Sequence, residues 1–231
     1  MTSPDFDRIA RPYRWLEYLS FGPMLERCRF YRLPQLADAR RALVLGDGDG
    51  RFLARLLQAN PHIEVDVVDL SQTMVQLLLG RVAKTGGLNR FSIYCVDARE
   101  FVDFVFDGTY KDVTYDLVVT HFFLDCFTTE ELSAMSARIR PHLTPDARWI
   151  VSEFAIPSGA VSLPARLVVR TLYTAFGLLT GLKTRRLPDH QAPLTGAGFA
   201  LKDRRKWLKG LLVSELWEVQ ATGSISGGSH S

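Results

Sequence analysis

Apolar and polar positions change rhythm along this chain. Across residues 12–30, Tyr13, Trp15, Leu16, Leu19, Met24 and Leu25 sit among charges. That spacing predicts one or two short amphipathic helices, broken at Gly22-Pro23. Short apolar runs then alternate with helical periodicity. Ala42-Leu43-Val44-Leu45 reads as a buried strand ending at Gly46. Phe52, Leu53, Leu56 and Leu57 recur at helical spacing until Asn60-Pro61. Residues 63–68 form a second strand that runs into Asp69. Ser71 caps a helix carrying Met74, Val75, Leu77, Leu78 and Leu79, which Gly86-Gly87 ends. Residues 91–96 are a third strand, running into Asp97, and 115–120 a fourth. Thr129 opens a helix with Leu132, Met135 and Ile139 on one side, and 149–154 are a fifth strand.

This alternation predicts an α/β domain with a largely parallel sheet. It pauses after the fifth strand, where residues 161–182 read as a helical insertion. Two strand-like runs follow, 199–207 and 211–219, close enough to pair as a hairpin. The chain of 231 residues is 47% hydrophobic and 23% charged, which excludes wholesale disorder. A net charge of +3 is too small to imply a nucleic-acid partner by itself. Cys28, Cys95 and Cys126 offer neither a disulfide framework nor metal-type spacing, so no metal is expected and a reducing, cytoplasmic setting is. Arg166 and Arg170 interrupt the longest apolar stretch, which argues against a spanning helix. The polar N-terminus lacks the apolar stretch of a signal peptide, and the Gly/Ser-rich residues 222–231 read as a flexible tail.

The chemistry concentrates where the first strand meets its helix. Gly46-Asp47-Gly48-Asp49-Gly50 allows a sharp bend and close approach of a ligand. Asp69 ends the next strand, and in a doubly wound sheet the two places are neighbours at the carboxyl edge. A carboxylate there can accept bonds from both ribose hydroxyls. The loop is GxGxG rather than GxGxxG, and Asp47 and Asp49 repel phosphate. It therefore favours a nucleoside without phosphates over NAD or ATP.

With these residues in view, the chain resembles class I S-adenosylmethionine-dependent methyltransferases, nearest to the small-molecule, ubiquinone/menaquinone-biosynthesis type. The matching pieces are Val44-Leu45-Gly46-Asp47-Gly48-Asp49-Gly50, Val68-Asp69-Leu70-Ser71-x-x-Met74, Cys95-Val96-Asp97-Ala98, and Tyr115 through Leu124. The resemblance spans about residues 38–156. It implies a Rossmann-like, seven-stranded, mostly parallel sheet with helices on both faces and one antiparallel strand. It also implies S-adenosylmethionine as cofactor. Gly46 and Gly48 would approach the methionine part, Asp69 would hold the ribose, Asp97 the adenine amino group with Ala98 nearby, and Leu70 and Met74 would pack on the nucleoside. Thr120, His121 and the residues after them would line the transfer site. The family's usual acid two positions before the first glycine is Val44 here, and Asp47 is placed to serve the cofactor's amino group instead.

Methyl transfer depends chiefly on in-line placement, and a general base helps only where the acceptor loses a proton. His121 is the candidate base. If the following stretch is helical, Asp125 four residues on shares its face and orients the imidazole. The alternative is that His121 packs beside the cofactor. The opening Phe6-Asp7-x-Ile9-Ala10-x-x-Tyr13 resembles the lid of related small-molecule enzymes, with Tyr13 and Trp15 closing the site or simply docking a helix. The expected organisation is a helical lid over residues 1–36, a methyltransferase domain over 37–221 with an insertion at about 158–197, and the tail. The apolar insertion suits a lipophilic or aromatic small-molecule acceptor. Its flanking Arg and Lys residues can also touch anionic headgroups at a membrane surface. Residues 183–209 hold eight Lys/Arg against two Asp, the feature an RNA methyltransferase would use. A non-catalytic S-adenosylmethionine-binding protein and, more remotely, a nucleotide-dependent oxidoreductase are the other readings. Oligomeric state is not legible.

Overall fold

The computed structural model describes residues 23–105, 108, 112–157 and 189–220. Tyr13 and Trp15, most of the predicted insertion and the tail lie outside the described residues.

Seven strands form one sheet in the order β3-β2-β1-β4-β5-β7-β6. They are β1 (Arg41–Leu45), β2 (Glu64–Val68), β3 (Phe91–Tyr94), β4 (Tyr115–His121), β5 (Leu143–Phe154), β6 (Phe199–Trp207) and β7 (Leu212–Val219). Strands β1 to β5 pair in parallel, and β7 runs antiparallel to both β5 and β6. This is the mostly parallel class I methyltransferase sheet with one antiparallel strand. The helices are α1 (Pro23–Phe30), α2 (Arg51–Ala59), α3 (Gln72–Val82), α4 (Ala98–Glu100), α5 (Thr129–Ile139) and α6 (Gln191–Gly196). β5 starts at Leu143 rather than near Trp149, and β3 stops at Tyr94, short of Val96.

The unbroken apolar run of β1 follows from burial on both faces. Leu43 and Leu45 enter one core with Trp149, Trp217 and the Leu132, Met135 and Ile139 stripe of α5. Ala42 and Val44 enter the other, with Phe52, Leu53 and Leu56 of α2 and Leu78 and Val82 of α3. Helix starts obey local chemistry. Ser71 Oγ accepts from the Met74 amide, and Thr128 and Glu131 form a reciprocal cap on α5. Asp116 fixes the strand register from below, its carboxylate accepting from the Arg40 and Arg41 amides. α1 closes the open side of β7 through Leu25 and Cys28, and burial pushes the Cys28 thiol up to about 12.

Strand order reverses between β1 and β4, so their carboxyl ends open a crevice. The closing hairpin holds a buried charge of its own. Glu215 on β7 accepts from His190 Nε2 at 3.0 Å and Trp217 Nε1 at 2.8 Å. Arg204 Nε of β6 lies 2.7 Å from its other oxygen. Burial pulls the Glu215 carboxyl up, but the His190 hydrogen bond and charge, the Trp217 donor and Arg204 outweigh it and hold it below the ordinary range.

Candidate functional site

The crevice is floored by the glycine loop. Gly46, Gly48 and Gly50 all have left-handed backbone, with φ of 69°, 62° and 76°. Two of them also have no room for a side chain: a Cβ on Gly46 would enter the Phe123 ring, and one on Gly50 would meet the Leu78 backbone. Gly48 is different. Among the described residues, only the Met74 sulfur, at 3.9 Å, comes near where a Cβ would stand. Left-handed backbone that no described side chain crowds suits a ligand approaching the main chain.

Asp69 ties this loop to β2. Its Oδ2 accepts from the Gly48 amide and its Oδ1 from the Ser71 amide, each at 3.0 Å. Leu70 and Met74 are half-buried beside it, and Ala98 is buried. Asp97 caps α4 through the Arg99 amide and pairs with the Arg99 guanidinium at 2.6 Å. Burial pulls its carboxyl up, but the Arg99 contacts win and hold it below the usual range. Asp49, the second loop carboxylate, is matched by Arg51 at 3.0 Å and Arg81 at 2.7 Å.

Asp47 turns inward. Its Oδ2 accepts from the Leu53 amide at 3.0 Å, while Oδ1 is buried with no hydrogen-bond partner. Burial pushes this carboxyl up to about 7, with Asp49 and Asp69 adding to it and the Leu53 amide and Arg29 opposing it. His121, at the end of β4, is 5% exposed, and neither ring nitrogen has a hydrogen-bond partner. Its ring meets Phe52 edge-on at 4.5 Å. Burial, reinforced by the Arg29 charge, lowers its pKa well below the ordinary value, so the imidazole is neutral.

The expected His121–Asp125 pair does not form. It assumed a helix running straight on from β4, but Phe122 takes φ 53° and the short helical turn begins only at Leu124. His121 stays on the α2 face of the sheet, while Asp125 lies where its charge acts on Glu153. Thr120, also expected near the cofactor, is fully buried, its Oγ1 accepting from Trp149 Nε1. A bulky residue held left-handed is uncommon and clusters at functional sites. Here the turn is locked by Ser152, whose carbonyl accepts from the Phe122 amide, and by Glu153 Oε1, which accepts from the Phe123 and Leu124 amides. Burial and the Asp125 charge raise the Glu153 pKa well above the ordinary value. The turn presents half-buried rings: Phe122 lies 5.3 Å from Phe154, and Phe123 lies 5.0 Å from Phe127.

Arg29, Glu153, His190 and Glu215 were not among the predicted site residues. Glu153 is an acid ending an apolar strand run, and Glu215 an acid at an inward position of one, signals that the sequence does carry. Arg29 has no local signal. Folding of α1 over the end of β4 brings its guanidinium 5.6 Å from the Phe122 ring.

Residues 43–149 match the family described as "Methyltransferase domain". The matched stretch of the domain runs from β1 into β5 and contains the glycine loop, Asp69, Asp97 and the β4 turn. The whole described fold is similar to solved methyltransferases. A putative O-methyltransferase from Nostoc punctiforme matches with a TM-score of 0.66 and 18% identity, over 94% of this chain and 61% of that one. The mitomycin 7-O-methyltransferase MmcR matches at 0.64 and 17%, over 93% and 60%. Among curated proteins, polyamine aminopropyltransferase 2 of Bacillus cereus is 27% identical over 128 residues, 51% of this chain and 33% of that protein. The chain thus spans a third of the length of that curated relative and about three-fifths of those solved chains.

The site fits S-adenosylmethionine, the cofactor that the fold implies. The left-handed backbone of Gly48, the Asp69 carboxylate at the end of β2 and the unpartnered Asp47 Oδ1 are of the kinds that suit backbone contact, a ribose diol and a cationic amine.

Proposed function

We propose that the chain transfers a methyl group from S-adenosylmethionine to a small, lipophilic or aromatic acceptor. The observation that carries this reading is the loop of three left-handed glycines, tied to Asp69 and, among the described residues, approached at Gly48 only by Met74. When bound, the cofactor supplies an activated methyl on a sulfonium. The chain's own residues then bind and orient. Asp69 accepts from the ribose hydroxyls, Leu70 and Met74 flank the nucleoside, and Phe122, Phe123 and Phe154 offer an apolar wall that excludes water. His121 is a neutral imidazole in the structure, able to accept a hydrogen bond, but its lowered basicity weakens the general-base role. The similarity to a mitomycin 7-O-methyltransferase supports an organic acceptor of that kind.

The basic region supports RNA less well. Arg204 is turned inward onto Glu215, and β6 is an edge strand three places from β4. Calorimetric titration tests the proposal. S-adenosylhomocysteine is expected to bind at micromolar concentration, with NADH and short RNA not competing. Displacement of S-adenosylhomocysteine by NADH, or no binding by a folded sample, overturns it. With binding shown, turnover of labelled S-adenosylmethionine on phenols and quinols tests the acceptor class. Methylation of RNA in place of these compounds sinks that part.

A further inference from the structure

The β6 edge of the sheet carries a surface that the glycine-loop crevice does not use. β6 turns back into β7 through residues 208–211, where Leu208, Lys209 and Gly210 take left-handed backbone in succession, with φ of 48°, 56° and 98°. Bulky residues held there store strain, and such strain clusters at functional sites. Leu208 is nevertheless 41% exposed. The loop lies along residues 155–157: the Ala155 amide donates to the Leu211 carbonyl, and a Cβ on Gly210 would stand 3.4 Å from Pro157. That brings the exposed Ile156 to the same tip. Tyr31, also exposed, meets the Trp207 ring edge-on at 5.2 Å. Single exposed apolar residues need no explanation, but a cluster at one tip does.

Charge gathers at the same place. The hairpin's carboxylates are each matched within the chain, Asp203 by Arg32 at 2.8 Å, Glu215 by Arg204 at 2.7 Å and Glu218 by Lys202 at 3.7 Å. Arg205, Lys206 and Lys209 are exposed and form no ion pair among the described residues. The tip also adjoins the apolar wall of the crevice. Trp207 pairs with Leu212 and Leu212 with Phe154, whose ring lies 5.3 Å from that of Phe122.

Resting on the proposed lipophilic acceptor, we propose that this tip docks on an anionic membrane surface. Leu208 and Ile156 enter the headgroup boundary, Trp207 and Tyr31 sit at its polar edge, and Arg205, Lys206 and Lys209 meet lipid phosphates. The Phe122–Phe154 end of the crevice then adjoins the bilayer, from which the acceptor enters. RNA would meet the cations but leave Leu208 and Ile156 in water, whereas a bilayer takes both. No helix among the described residues is long and apolar enough to span, so the contact made by this tip is peripheral and reversible.

Co-sedimentation of the full chain with vesicles tests this, comparing phosphatidylcholine alone with phosphatidylcholine plus phosphatidylglycerol. Binding is expected only to the anionic vesicles and is expected to weaken as salt is raised. Lys206→Glu with Lys209→Glu is expected to weaken it at least about tenfold. Leu208→Asn keeps the turn, because asparagine tolerates left-handed backbone, but removes the apolar apex. That variant is expected to melt no lower than the unaltered protein and to bind vesicles about fivefold more weakly. Both variants are expected to keep their affinity for S-adenosylhomocysteine. Equal binding to neutral vesicles, no vesicle binding, or binding that both variants leave intact overturns the inference. So does a response to the charge reversals alone, with Leu208→Asn binding as the unaltered protein does, which means a general polyanion site. Variants that lose S-adenosylhomocysteine and vesicles together mean a structural role and overturn it as well. Vesicle binding by a chain that binds no S-adenosylhomocysteine keeps the docking surface and sinks the proposed function, and the opposite result does the reverse.

Discussion

Glu215 and Asp47 are both buried carboxyls near the carboxyl edge of one sheet, yet the fold treats them oppositely. Glu215 lies under the closing hairpin with His190, Trp217 and Arg204 directed at it, and its carboxyl is held below the ordinary range. Asp47 has one backbone donor and one orphaned oxygen, and burial pushes it up to about 7. Removing a charge from water costs both groups several kcal/mol. At Glu215 the offset comes from inside the protein, which marks a structural group. At Asp47 it is missing, which marks a place where something outside the chain completes the site.

The largest effect that would break this comparison is at Glu215. Glu215→Ala leaves the buried His190 and the half-buried Arg204 without their acceptor, and we expect a loss of about 3–5 kcal/mol in denaturant unfolding. The pH dependence has a definite sign. A carboxyl depressed in the folded state contributes stability that is full above its unfolded value and is lost as pH falls through its folded one. The stability gap between the unaltered protein and Glu215→Gln should therefore shrink below about pH 4.5, the ordinary glutamate range. A hairpin that tolerates Glu215→Ala within 1 kcal/mol would remove the contrast with Asp47.

Glu153 sharpens the comparison, because it stands between the two cases. One oxygen accepts two backbone amides and the other is orphaned. Its first duty is to hold the left-handed Phe122 turn, and a glutamine can do that as well. We expect Glu153→Gln to unfold within about 1 kcal/mol of the unaltered protein, and Glu153→Ala to lose roughly 2–4 kcal/mol through two unsatisfied amides. Equal losses in both variants would mean that the charge, not the acceptor, matters there.

Local chemistry was the legible part of this sequence. The glycine loop, Asp69, the Ser71 cap and the pairing of 199–207 with 211–219 each follow from residues close together in the chain, and each stands where the pattern put it. The His121–Asp125 pair was read from helical spacing and fails because Phe122 reverses the backbone, and nothing about a phenylalanine announces φ 53°. That reversal depends on Glu153 and Ser152, some thirty residues on, contacts that no window of sequence contains. Arg29 and the His190–Glu215 contact are likewise products of tertiary folding. The fold was thus readable from periodicity, whereas the electrostatics of the site depend on contacts distant in the chain.

The smallest effect tests the Asp47 side of the comparison directly. A carboxyl raised from its ordinary value to about 7 has a destabilising contribution that builds up between the two values and is full above them. Over that window the folded protein binds the extra proton, so stability falls as pH rises from about 4 to about 7. Asp47→Asn removes the titration while its side-chain oxygen still accepts from the Leu53 amide. Without ligand, the variant should match the unaltered protein near pH 4 and exceed it at pH 8. Each unit of displacement is worth about 1.4 kcal/mol, so even half the displacement makes that excess roughly 2 kcal/mol. Saturating S-adenosylhomocysteine should reverse the order at pH 8, because the ammonium then supplies the partner that the fold withholds. Melting curves at both pH values, with and without ligand, decide it. An Asp47→Asn variant less stable than the unaltered protein in all four conditions would place Asp47 alongside Glu215, as a group whose partners are already in the chain.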